Sequence, residues 1–251
     1  MDTSVSVRNK ERKMVEQTLT PEKTSVEKEG PPLSVRGLWE VFTSPTCFFD
    51  EIRQNPKVLV PLIAIAVTFS FFLYFTADII AQTQIAEMRQ KPNMPADQIP
   101  TVDSMKMYIW IFSAPVIILS PLIITALAMF WGNFVMAGKA TFKQIFSVAV
   151  YGEYAFFVAS LVVIPLIIAK GSMAVSLSPA ILLSDQDITN PLWLALSKLS
   201  VFHILEFIII AIGCQKIYLV SRNKGYLLSV LSMGLIALLH VITTAIGKLF
   251  T

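Results

Sequence analysis

Residues 58–77 carry no charged side chain, and this run constrains the fold more than any other feature. As a helix rising ~1.5 Å per residue it reaches ~30 Å, the thickness of a bilayer's hydrocarbon layer. Four further mostly apolar runs follow, at 107–137, 145–169 with Glu153 inside it, 191–220 and 226–246, which predicts five spans. Only 15% of the 251 residues are charged, against about 25% in soluble domains. The expected fold class is therefore an all-α integral membrane protein, a five-span transmembrane helix bundle. Such a chain leaves little length for a soluble catalytic domain.

The connections follow from proline and charge. Gln82 to Lys106 contains Pro92, Pro95 and Pro100 and predicts an extramembrane loop rather than a continuous helix. Pro115 and Pro121 predict a tilt or kink in the second span. Short turns are expected at Gly138–Lys143 and Ser221–Gly225, and a second loop at Lys170–Asn190. Arg53, Lys57, Lys139, Lys143, Lys216, Arg222 and Lys224 fall on one side of this arrangement, whereas Glu87, Asp97, Asp103, Asp185 and Asp187 collect on the other. The positive-inside rule then predicts a cytoplasmic amino-terminus and an external carboxyl-terminus.

Three regions are expected. Residues 1–36 mix Arg8, Lys10, Arg12 and Lys13 with Glu11, Glu16 and Glu22, the pattern of a disordered cytoplasmic tail and not of a nucleic-acid arm. Residues 37–56 form an amphipathic segment in which Ser44 and Pro45 mark a helix start, the hydroxyl capping free amides. Two placements are open for it: flat on the cytoplasmic interface, or packed as an elbow under the bundle. Residues 57–251 form the membrane domain. No cleavable signal peptide is expected, since the first apolar run starts only at Val58, nor a lipid anchor. Cys47 and Cys214 form no spaced cluster and read as reduced, apolar space-fillers.

The order of several short motifs resembles the Yip domain family, membrane proteins named for interacting with Ypt and Rab GTPases, and specifically its bacterial branch. The motifs are Phe42-Thr43-Ser44-Pro45 with Phe48-Phe49 and Pro56; Gly138-Lys139-Ala140-Thr141-Phe142 leading into Tyr151-Gly152; and Leu199-Ser200-Val201-Phe202 leading through Ile212-Gly213 to the 221–225 turn. The resemblance implies a five-span bundle in the bacterial cytoplasmic membrane. The Asp-Leu-Tyr-Gly-Pro motif of eukaryotic members is absent, and Tyr151-Gly152-Glu153-Tyr154 has no proline after it until Pro165. A Rab-type GTPase is therefore not expected as a partner.

Ionisable groups within a bilayer cost ~2.5–3.5 kcal/mol each and call for partners. His203 and Glu206, three apart, share a face of the fourth span, and His240 on the fifth lies at a matching depth of ~20 Å. These three are the candidate intramembrane polar cluster, either a proton or cation site or a hydrogen-bonded pair that fixes two spans together. Glu153, at ~12 Å, is expected nearer the cytoplasmic rim with Tyr151 and Tyr154. No metal site, cofactor, phosphate loop, nucleophile elbow or catalytic residue is expected. The expected role is an interaction or organising component of a membrane complex, engaging a membrane-protein partner or a second copy of itself through the tail. The alternative is a small proton- or cation-coupled permease using Glu206, His203 and His240.

Overall fold

In the computed structural model, residues 35–90, 94–173, 175, 177–183 and 190–249 are described. The expected tail lies outside them except for its last two positions, and so do Asp185 and Asp187 of the second loop. The described residues form α1 (Arg36–Thr43), α2 (Pro45–Gln54), α3 (Leu59–Gln90), α4 (Val102–Ser113), α5 (Val116–Met129), α6 (Phe142–Ser160), α7 (Ile164–Lys170), α8 (Pro191–Ser197), α9 (Val201–Tyr218), α10 (Arg222–Ser229) and α11 (Leu235–Leu249). Among them no strand occurs. Five stretches are long and apolar enough to cross a membrane: Leu59–Arg89, Val102–Val135, Phe142–Lys170, Val201–Tyr218 and Arg222–Ile246. On α3, Ile63, Val67, Phe71 and Tyr74 form an exposed apolar row at helical spacing, a face suited to lipid.

The spans are less regular than their apolar runs suggest, and proline accounts for much of it. Ala114 and Pro115 separate α4 from α5, since Pro115 lacks the amide that would continue the helix. Before Pro165 the third span tightens to a 3-10 turn at Leu161–Val163, and Gly171, at φ 62°, ends α7 in the left-handed region that favours glycine. The second and fifth spans each contain a wide π turn, at Phe130–Val135 and Val230–Gly234. The fourth segment, expected as one span over 191–220, is divided: α8 stops at Ser197 and α9 restarts after Ser200, whose hydroxyl accepts from the His203 amide at 3.2 Å.

Two expectations about connections are corrected. The Gln82–Lys106 segment begins as helix, because no proline occurs before Pro92 and α3 runs on to Gln90. Ala81 and Ile85 pack there against Met105 and Ile109 of α4, and Asp78 meets Lys106 at 2.8 Å. Likewise Arg222 to Gly225, expected as a turn, already belongs to α10.

The core centres on α6 and α9. Tyr151, Ile210, Cys214 and Leu228 are fully buried, together with Val41, Phe49 and Ile52 from the amino-terminal helices. Residues 37–56 thus pack against the bundle through Val41, Phe49 and Ile52. Phe48 meets Tyr151 edge-on at 4.6 Å between ring centres. Lys216 pairs with Asp50 at 2.7 Å, and Gln144 Nε2 donates to the Arg53 carbonyl at 2.6 Å. The expected Ser44 hydroxyl cap is not formed; Pro45 alone marks the start of α2. Cys214 is the apolar filler expected of it, whereas Cys47 is exposed.

The motif at 138–144 works through capping. Thr141 and Gln144 form a reciprocal capping box at the start of α6, and the Asn133 side chain bonds both backbone groups of Ala140, at 2.8 and 3.1 Å. Gly152 faces Ile210 and Gly213 faces Val148 so closely that a Cβ would stand 2.5 Å from either side chain. These glycines let α6 and α9 approach.

Candidate functional site: an intramembrane polar cavity

Glu153, Glu206, Lys198, His203, His240 and Ser120 line one cavity of about 260 Å³, walled otherwise by apolar side chains. The kinked second span supplies Ser120, α6 supplies Glu153, α9 supplies His203 and Glu206, and α11 supplies His240. Lys198 comes from the break between α8 and α9. A larger apolar chamber of about 400 Å³ lies beside it and shares Phe156, Phe157 and His203.

Within the cavity the partners are unequal. The Ser120 hydroxyl donates to Glu153. Glu206 is 5% exposed, and among the described residues no hydrogen bond or ion pair reaches its carboxylate. His203 Nδ1 lies 2.7 Å from Ser200 Oγ, while its ring packs on Phe156 at 4.7 Å between centres.

The expected cluster of His203, Glu206 and His240 does share a cavity, with His240 at its exposed edge; among the described residues no hydrogen bond joins the three. Glu153 departs from its expected place. It is buried and belongs to the cavity, not to a rim group with Tyr151 and Tyr154. At about 100° per residue, Tyr151 and Glu153 point ~200° apart: Tyr151 turns to Phe48 and Tyr154 to Phe42, beneath the amino-terminal elbow. Depth along a helix had grouped residues that its rotation separates. Lys198 was missed altogether, although a lysine inside an apolar run is as costly as a glutamate and was itself the signal. The break between α8 and α9 opens onto the cavity through Lys198. Among the described residues no three or more His, Cys, Asp or Glu side chains come together as a metal ion would require.

With no strand among the described residues and five segments long and apolar enough to cross a membrane, this is a multi-pass protein of the cell membrane. The match of residues 39–245 to the Yip1 domain places it further: the chain belongs to the Yip1 domain family. It is similar to "Membrane protein YknW" of Bacillus subtilis (strain 168), 22% identical over 232 residues that cover 90% of this chain and 97% of that protein. No solved structure matches it.

Proposed function

We propose that this chain is a non-enzymatic organising component of a membrane complex, which fixes the position of a partner bound to its amino-terminal segment. The observation that carries this reading is the burial of α1 and α2 in the bundle core through Val41, Phe49 and Ile52. A segment held this firmly transmits whatever binds just before it to the membrane domain. The elbow, Lys216 and the start of α6 come together through the Asp50 and Arg53 contacts. Basic residues thus gather at one end of the bundle, which supports a cytoplasmic amino-terminus. Deleting residues 1–34 is expected to abolish co-purification of a stoichiometric partner after in-cell crosslinking, with the membrane domain still folded. A partner retained in full by the truncated chain would overturn the proposal.

A second reading, a small proton- or cation-coupled permease, is favoured by one observation, the charged cavity beside the helix break that precedes the fourth span. Broken helices beside intramembrane carboxylates are a recurring feature of secondary transporters. Glu206→Gln is then expected to abolish ion-coupled flux in liposomes while the chain keeps its gel-filtration profile. Flux that survives in this variant would sink the permease reading.

A further inference from the structure

We infer that the cavity binds one exchangeable proton on its Glu153–Glu206 carboxylate pair, with Lys198 as the fixed counter-charge. This deepens the permease reading by naming the ion, and the permease reading supplies its use.

The charge count leads to it. The titratable groups facing the cavity are Glu153 from α6, His203 and Glu206 from α9, Lys198 from the α8–α9 break and His240 from α11; α5 contributes the hydroxyl of Ser120. With neutral imidazoles the two carboxylates and one ammonium leave one uncompensated negative charge in a low-dielectric setting, which is unfavourable. One bound cation restores neutrality.

Geometry then selects the proton. Glu206 is nearly fully buried and aimed into the cavity without a hydrogen-bond donor among the described residues, so one of its oxygens is free to accept. A metal cation would need several oxygen or nitrogen ligands at once, and among the described residues no three or more His, Cys, Asp or Glu side chains are grouped to supply them; the remaining walls are mostly apolar. At about 260 Å³ the cavity has ample room for water, which allows exchange. His203 lines the same cavity, with its Nδ1 held 2.7 Å from Ser200 Oγ. Binding converts one carboxylate to a carboxylic acid, and release reverses it, with no other bond made or broken.

The test is infrared spectroscopy of the full chain in nanodiscs near neutral pH, reading the C=O stretch of a protonated carboxyl group. The wild-type chain should show this band. Either Glu153→Gln or Glu206→Gln leaves one carboxylate opposite Lys198, already balanced, so each single variant should lose the band. Lys198→Met leaves two carboxylates without an ammonium and should raise the band about twofold, an arm that remains decisive if a glutamine variant fails to fold. A wild-type chain without the band, a band that survives both glutamine variants, or one erased by sodium or potassium at constant pH overturns the assignment. The last outcome would mark a metal-cation site. Because this is an equilibrium measurement, a band without flux retains the proton site and discards the permease, whereas flux without a band discards the site.

Discussion

Phe49→Ala is expected to destabilise the fold by about 3–5 kcal/mol, the usual cost of removing a buried phenylalanine, and to release α1 and α2 from the bundle. Phe49 has no exposed surface. Its ring meets Phe48 at 5.1 Å between centres and lies against Gly213, where a Cβ would come within 3.2 Å. It belongs to α2, outside the five membrane-crossing segments, so its core burial is a hydrophobic contribution of the ordinary kind. Thermal unfolding in detergent together with trypsin cleavage at Arg53 or Lys57 would measure both effects. Trp39→Ala serves as control: Trp39 is 71% exposed, and the change should stay within about 0.5 kcal/mol. Equal, small losses in the two variants would show that the elbow is not held by its core contacts. The organising role proposed for the amino-terminal segment would then lose its physical basis.

The second large effect is expected at Gly225, near the start of α10. A Cβ there would stand 2.6 Å from the Ala211 carbonyl oxygen and 2.8 Å from the Gln215 Cβ. Neither obstacle is the tip of a flexible side chain; both move only if α9 moves. Overpacking costs about 1–3 kcal/mol where side chains can adjust, and Gly225→Val should reach or exceed the top of that range by forcing α9 and α10 apart. Gly234→Ala is the control at a glycine with room for a Cβ, which would stand in ordinary contact 3.7 Å from Val230, and should be neutral to slightly stabilising. Thermal shift followed by gel filtration distinguishes them. If the two variants melt together, close contact between α9 and α10 is not what requires a glycine at 225.

These two sites also explain the motifs behind the family resemblance. Phe48-Phe49, Gly138 to Phe142, Tyr151-Gly152, Ile212-Gly213 and the 221–225 segment are far apart in the chain, yet Phe49 touches the Gly213 position, Phe48 meets Tyr151, and Gly138 faces Tyr218. They are pieces of one packing arrangement around α2, α6, α9 and α10. A motif set of this kind reports a fold before it reports an activity.

The sequence by itself determined the membrane class, the number of spans and the side on which basic residues gather, because each depends on the transfer energy of contiguous side chains. It also determined that His203 and Glu206 share a face, since their spacing follows from helix geometry alone. What it left open, or placed wrongly, was rotation and register between helices. Glu153 joined Glu206 rather than Tyr151 and Tyr154, Lys198 entered the cavity through a break inside an apolar run, and residues 37–56 packed against the bundle core. Apolar runs fix how far each helix reaches. Which faces meet is decided by close contacts such as Gly152 on Ile210 and Gly213 on Val148, and those exist only once the helices are assembled.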